Sequence, residues 1–252
     1  MMSGWKNRLQ MKPEFALSLS FEGITLLLRS GSGWRHVGDV SRDVPDLRGE
    51  LAALRAKARL LSDTRLATKL ILPNDQIRYL SVETGAFEGA ARDEIVRAAL
   101  QDATPYSIDD LAYDTTPEGR MTHVAAVALE TLAEAESFAV EHHFGPVSFV
   151  AIPGDQPFLG EPFFGRTDAA DDVIGNEEVE ADGIAVVVIG DAVIPEPPES
   201  KPEPEPEPEN DPDLAAADDA DAAAPENVPA TGFASRRQQP APPAAAPRMD
   251  DG

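Results

Sequence analysis

Histidines are the residues of this chain whose type most readily binds a metal or transfers a proton near neutral pH. There are four of them: His36, His123, His142 and His143. His142 and His143 are adjacent near the end of a predicted helix, so their side chains point in different directions and make a poor chelate. Solvation at the helix end, or a favourable contact with the helix dipole, explains the pair better. The histidines therefore predict no metal site.

Carboxylates are numerous, but no catalytic set stands out among them. The chain has 45 Asp and Glu residues, and neither a Ser–His–acid set nor a carboxylate pair can be singled out from so many. The doublets Asp109-Asp110 and Asp171-Asp172 are typical of solvated turns. The lack of cysteine excludes disulfides, thiolate catalysis and cysteine-ligated metals, and it suits a reducing cytoplasm. We predict no catalytic residue and no enzyme.

The glycines offer no phosphate-binding loop. Nothing matches the pattern G-x-x-x-x-G-K-[ST] between a strand and a helix. Gly31, Gly33 and Gly38 lead into a predicted strand, where no cluster of helix N-terminal amides exists to hold phosphate. We interpret them as turn residues and predict no cofactor.

Charge is distributed unevenly along the chain, whose formal net charge is −24. Residues 1–100 carry a net charge of +3, residues 101–165 carry −10 and the remainder carries −17. Such an acidic tail repels nucleic acid and anionic lipid, so we predict no nucleic-acid partner. The aliphatic runs 24–28 and 184–189 are far shorter than the roughly 20 residues of a membrane span. The composition predicts a soluble, cytoplasmic chain with no direct membrane span.

The composition changes abruptly near residue 165. Residues 195–208 alternate Pro with acid, and residues 214–225 are mostly Ala and Asp. Such segments bury too little apolar surface to offset an ordering cost of roughly 1–2 kcal/mol per residue. We predict a disordered acidic Pro/Ala-rich linker and tail over residues 154–252. The apolar island at 184–189 would pair as a strand only against something else.

The first folded part is predicted over residues 14–74, after an N-terminal extension at 1–13. Residues 15–40 favour three consecutive strands separated by Gly-containing turns. A helix over 45–61, capped by Ser41 or Asp43 and with Pro45 in its first turn, precedes a short buried strand at 67–72. The other face of this helix carries four basic residues: Arg48, Arg55, Lys57 and Arg59. That face is interpreted as either solvated or a basic docking patch.

A second module is predicted over residues 75–153. Its elements are a strand at 77–83, a helix at 87–101, a hairpin at 111–129, a helix at 130–144 and a strand at 147–152. The first helix has an apolar stripe formed by Phe87, Ala91, Ile95 and Ala99. The order strand, helix, strand, strand, helix, strand is that of a ferredoxin-like βαββαβ module.

Two features together carry a resemblance to a known family. Three strands, a helix and a strand begin the first half of an actin-like ATPase fold, and a variable subdomain follows there in such proteins. Residues 103–114 read Ala-Thr-Pro-Tyr-Ser-Ile-Asp-Asp-Leu-Ala-Tyr-Asp. This stretch is similar to a recurring element of the type IV pilus PilM and type II secretion GspL proteins. The resemblance covers roughly residues 15–153. It implies an α/β (α+β) fold, with a truncated actin-like (RNase H-like) half and an inserted ferredoxin-like module.

The resemblance implies a role in assembly rather than catalysis. Nucleotide-binding members carry Asp-x-Gly in the first hairpin, where residues 18–23 here read Ser-Leu-Ser-Phe-Glu-Gly. The second half of the actin-like fold has no counterpart, so the resemblance implies no ATP binding. It implies a non-catalytic cytoplasmic adaptor of a pilus- or secretion-type platform, with a secretion ATPase and an inner-membrane platform protein as partners. Such an adaptor would reach the inner-membrane face through a partner.

Two alternative functions remain open from the sequence. The first is a stand-alone interaction protein that works through the acidic Pro-rich tail. The second is a degenerate sugar-kinase-like or actin-like enzyme.

Overall fold

A computed structural model describes residues 10–195 of the chain. Within that range the strands are β1 (Gln10–Met11), β2 (Phe15–Leu19), β3 (Gly23–Ser30), β4 (Gly33–Ser41), β5 (Thr68–Ile71), β6 (Arg78–Glu83), β7 (Leu111–Glu118), β8 (Met121–Ala128), β9 (Pro146–Val150), β10 (Phe163–Arg166), β11 (Glu178–Val179) and β12 (Val188–Asp191). The helices are α1 (Leu47–Leu61), α2 (Gly89–Ala103), α3 (Leu129–Glu141) and α4 (Ala170–Ile174). None of these helices is long and apolar enough to cross a membrane.

A seven-stranded mixed sheet organises the fold, with the order β10-β9-β5-β2-β3-β4-β12. The strands β2, β3 and β4 are antiparallel neighbours, as consecutive strands joined by tight turns usually are. The strand β5 then lies parallel to β2, and β9 lies parallel to β5. The predicted α/β fold class and the predicted order of three strands, a helix and a strand are confirmed.

The helix α1 crosses from β4 to β5 and covers one face of this sheet. It begins at Leu47, because the carboxylate of Asp46 accepts a hydrogen bond from the Gly49 amide at 2.9 Å. The predicted caps Ser41 and Asp43, and the predicted start at residue 45, are therefore wrong. The predicted apolar stripe is confirmed at its centre, where Leu51, Leu54 and Ala58 are buried.

A three-stranded sheet, with the order β6-β8-β7, replaces the predicted ferredoxin-like module. Its strands are antiparallel, and α2 packs on one of its faces. The last predicted strand of the module, β9, pairs instead with β5 and β10 of the large sheet. All five residues of β9 are buried, and the large sheet supplies a neighbour on each of its edges. The predicted order of these strands and helices along the chain is right. The prediction that all four strands share one sheet is wrong, because β9 belongs to the large sheet.

The buried face of α2 also differs from the prediction. Val96 and Leu100 are buried, whereas Phe87 is 56% exposed and Ile95 is only partly buried. Phe87 precedes the helix, which begins at Gly89. A stripe that starts at Phe87 is therefore rotated away from the residues that contact the sheet.

Residues 154–195 are ordered parts of the fold, and the disorder predicted for them is wrong. The strand β10 extends the large sheet beside β9, and Phe158 and Phe164 are buried in the main core. The end of the apolar island, Val188 and Ile189, belongs to β12, which pairs in parallel with β4 of the same chain. The missing partner of this island was thus the edge of the large sheet. The rest of the predicted tail, residues 196–252, and residues 1–9 of the predicted extension lie outside the described residues.

Candidate functional site

The turn between β2 and β3 is where the resembled nucleotide-binding proteins place an acidic residue. Here the Ser20 hydroxyl donates to the Gly23 carbonyl at 3.0 Å and accepts from the Gly23 amide at 3.1 Å. A Cβ atom at position 23 would lie 2.3 Å from the Val40 carbonyl oxygen, so the backbone of β4 packs directly against Gly23 and leaves no room for a side chain. Glu22 is exposed. Ser20 and Gly23 therefore close this turn with hydrogen bonds to each other.

An apolar groove of about 290 Å3 opens between this turn and α3. We name it the Phe21 groove, and its apolar lining is Leu19, Phe21, Ile24, Ala135 and Phe138. Phe21 is 69% exposed although it belongs to one of the residue types most often buried. Arg42 and Glu134 at the same groove supply opposite charges. An apolar concavity bordered by charged residues is typical of a site that binds another protein.

A buried ion cluster, which the sequence did not reveal, joins the C-terminal segment to the large sheet. It consists of Arg29, Lys69, Glu161 and Asp182. Lys69 is 2% exposed and donates to the carboxylate of Glu161 and, at 2.7 Å, to that of Asp182. Arg29 makes two hydrogen bonds to Asp182, at 2.9 and 2.7 Å. Since every charge has a partner, the cluster can fasten two parts of the chain together.

The environment of the ion cluster affects its two acids in opposite directions. Burial raises the pKa of Glu161, although the charge and the hydrogen bond of Lys69 oppose the rise. Burial also acts to raise the pKa of Asp182, but hydrogen bonds from Arg29 and Lys69 outweigh it and lower that pKa. The cations of Arg29 and Lys69 lie 4.4 and 4.6 Å from the centre of the Trp34 ring. The two cations therefore favour the charged form of Asp182, and the Trp34 ring lies within cation–π distance of both.

Ser81, His123 and Glu118 form a hydrogen-bonded row across the three-stranded sheet that sequence spacing does not show. The Ser81 hydroxyl lies 2.8 Å from Nδ1 of His123, and Nε2 of His123 lies 2.9 Å from Glu118. A serine hydrolase also needs N–H donors gathered at the position of the developing oxyanion. Ser81 lies within the edge strand β6, and the structure shows no N–H donors gathered at its hydroxyl among the described residues. The row serves to connect neighbouring strands.

The remaining histidines are dispersed. His36 contacts Asp39 at 2.7 Å and Asp191 at 3.3 Å. His142 ends α3 and stacks against Phe138, and its pKa is lowered by burial. His143 has a positive φ of 56°. Among residues 10–195 no group of three potential ligands is placed to hold a metal ion.

The acidic doublets have separate local partners. Asp110 accepts a hydrogen bond from Ser107, and Asp109 lies 3.5 Å from Arg97. Asp171 accepts from Arg166 at 2.7 Å. All four carboxylates of the doublets are exposed, as predicted. The predicted turns are wrong, because Asp171 and Asp172 belong to α4 and Asp109 and Asp110 to a short 3-10 helix.

Comparison with solved structures finds partial likenesses. The cytoplasmic domain of EpsL, an inner-membrane component of the type II secretion system of Vibrio cholerae, is 16% identical with a TM-score of 0.39, over 54% of this chain and 55% of that chain. The PilM–PilN type IV pilus biogenesis complex gives 21% identity and a TM-score of 0.39, over 54% of this chain and 46% of the other. A Bacteroides thetaiotaomicron protein with an actin-like ATPase fold and unknown function gives 12% identity and a TM-score of 0.30, over 56% of this chain and 52% of the other.

These structures are of the kinds that the sequence resembles. The chain spans about half the length of the solved structures it matches. No protein-family model and no curated protein matches the sequence. Likenesses at these TM-scores do not show what the chain binds.

Proposed function

We propose that this chain is a non-catalytic adaptor of a type IV pilus or type II secretion-like assembly platform. It acts in the cytoplasm through protein–protein contacts, and it reaches the inner-membrane face through a partner. Its partners are a secretion-type ATPase and an inner-membrane platform protein. The residues at 103–114 support the choice of system, because their pattern resembles that of the PilM and GspL proteins.

The Phe21 groove is the observation that carries the adaptor proposal. Burying a phenylalanine side chain contributes about 1.5–3 kcal/mol, and the exposed Phe21 leaves most of that contribution to a partner. The groove beside it is lined on the opposite wall by Ala135 and Phe138 of α3. A partner side chain entering this groove would cover Phe21 and the two α3 residues together.

The β2–β3 turn supports a non-catalytic role. Its residues 18–23 contain no Asp, and Ser20 uses its hydroxyl to close the turn. The position at which the resembled nucleotide-binding proteins hold metal and phosphate is here an exposed aromatic side chain beside an apolar groove. A surface of this kind favours protein binding over phosphate chemistry.

Binding of the two proposed partners tests the function directly. The purified ATPase and the cytoplasmic part of the platform protein from the same genome would be titrated against the full chain. We expect at least one to bind, and we expect Phe21→Asp to weaken that binding by at least about 30-fold. The reason is that truncating a buried aromatic anchor costs about 2 kcal/mol or more.

Phe87→Asp is the matched control, because Phe87 is also an exposed phenylalanine, 56% accessible, but lies before α2 and away from the groove. It should leave the dissociation constant within about twofold of the wild-type value. Failure of both proteins to bind the wild-type chain would reject the adaptor proposal. Equal losses in the two variants would reject the groove as the contact site.

A further inference from the structure

A cavity of about 380 Å3 lies where the C-terminal ends of α1 and α3 approach α4. We name it the arginine cavity, and its polar lining includes Arg55, Arg59, Arg65, Thr64 and His143. Its wall needs a glycine at position 145, where φ is +59° and a Cβ would lie 2.0 Å from the Leu66 carbonyl oxygen. The cavity has the volume of a small-molecule site.

The three arginines of this cavity are short of negative charge. Five other arginines of the described part have carboxylate partners, as in the pairs Arg48–Glu141 and Arg166–Asp171. The ion pairs found among residues 10–195 include none made by Arg55, Arg59 or Arg65. The only carboxylate in the lining of the cavity is that of Asp172, which is exposed.

The neutral contacts of these arginines leave donors free to bind a ligand. Arg55 donates through Nη1 to the His142 carbonyl at the end of α3, and Arg65 donates through Nη1 to the backbone carbonyl of Asp172. The Nε atom of Arg55 is buried without a hydrogen-bond partner among the described residues. Burial, and then the charge of Arg59, lower the pKa of Arg55. A bound anion would relieve the repulsion between the Arg55 and Arg59 guanidinium groups.

We infer that the arginine cavity binds a small ligand through a phosphate group. Three guanidinium groups around a concave site match the charge and the several acceptor oxygens of phosphate, which arginine binds in a bidentate manner. The concave shape of the cavity fits a free phosphate compound better than a flat membrane surface. This site is separate from the Phe21 groove and does not depend on the adaptor role. Two of the four basic residues of α1, Arg55 and Arg59, thereby belong to a binding site.

Titration of the full chain with inorganic phosphate and with pyrophosphate, at constant ionic strength, tests the inference. Backbone amide shifts would be followed by NMR. We expect saturable shifts at Thr64, Leu66, His143 and Gly145, with a dissociation constant on the order of 1 mM for phosphate and lower for pyrophosphate. Arg59→Gln and Arg65→Gln should each weaken binding about tenfold, because each removes a charged hydrogen-bond donor.

Arg48→Gln is the matched control, since Arg48 is an exposed arginine of the same helix outside the cavity lining. It should change the affinity by less than about twofold. Thermal melting of each variant verifies folding, and Arg59, being exposed, provides a variant that leaves the core intact.

Three results would overturn the inference. The first is the absence of saturable shifts at the cavity with either phosphate compound. The second is equal weakening by Arg48→Gln and Arg59→Gln, which would indicate general charge attraction. The third is shifts at the cavity only with anionic phospholipid vesicles or only with a Glu-rich peptide, which would assign the cavity to a membrane or to a protein.

Discussion

Asp182 shows at the scale of one residue how the C-terminal segment is attached. Its carboxylate receives two hydrogen bonds from Arg29 of β3 and one from Lys69 of β5. These bonds lower its pKa from the ordinary value of 3.8, in spite of burial. A group with a lowered folded pKa adds stability that is present above its unfolded pKa and is lost as the pH falls through its folded pKa.

We therefore predict a pH-dependent effect of Asp182→Asn. Above about pH 5 the variant should unfold with a free energy about 2 kcal/mol smaller than the wild type, because charged hydrogen bonds are lost. Below about pH 4 the difference should shrink, since the carboxylate of the unfolded wild type then takes up protons, and it should vanish as the pH falls through the lowered folded pKa. Urea unfolding monitored by circular dichroism from pH 3 to pH 8 would measure both values. Asp155→Asn, at an exposed site, is the control; a pH-independent difference for Asp182→Asn would contradict the prediction.

At the scale of an element, the helix α2 buries the face formed by Val96 and Leu100, which lie one helical turn apart. Val96 and Leu100 pack with Leu111 and Val124 against the three-stranded sheet. Ile95, one residue earlier, is rotated by about 100° and is partly exposed. The sequence of α2 has apolar residues both on the face of Val96 and Leu100 and on the face of Ile95. Packing against the three-stranded sheet decides that the first of these faces is buried.

We predict that Val96→Asp is far more destabilising than Ile95→Asp. An aspartate at position 96 places an unpaired carboxylate in a fully buried site and should cost several kcal/mol, close to the whole stability of a small domain. An aspartate at position 95 can reach water and should cost about 1 kcal/mol. Thermal and urea unfolding of the two variants would compare them. Equal losses would mean that Ile95 is as buried as Val96 and that the helix is rotated.

The whole molecule depends on the segment 154–195 to cover the second face of the large sheet. Ala16, Leu27 and Ile71 form a core on that face together with Val186. Arg29 and Lys69 meet Asp182 and Glu161 at the same face. Without this segment, one side of the central strands β2 and β5 would lie open to water.

We predict that this segment unfolds together with the sheet. The Thr167 amide donates to Val147 at 3.1 Å, and the Leu72 amide donates to Val150 at 2.9 Å. Native-state hydrogen exchange should give the two amides opening free energies that agree within about 1 kcal/mol and approach the global value. The exposed Gly183 serves as a reference for local opening. Exchange at Thr167 as fast as at Gly183 would show that the segment detaches independently.

The sequence by itself determined the local elements of this protein. Tight turns and alternation defined β2, β3 and β4, and the spacing of Leu51, Leu54 and Ala58 defined the buried face of α1. The residues at 18–23 already predicted a plain turn. These features depend on neighbours a few positions apart, which a pattern of hydrophobicity records directly.

Only the tertiary structure decided which elements share a sheet and what covers them. The strand β9 has the same sequence pattern whether it completes a small sheet or joins β5, because pairing partners distant in the chain leave no periodic signal. Asp182 stands in an acidic stretch that composition alone assigns to solvent, and nothing in the sequence around Glu161 marks that carboxylate as buried. Their burial is possible because Arg29 and Lys69, more than 90 positions away, neutralise them. Likewise, the arginine cavity exists because folding brings α1, α3 and α4 together.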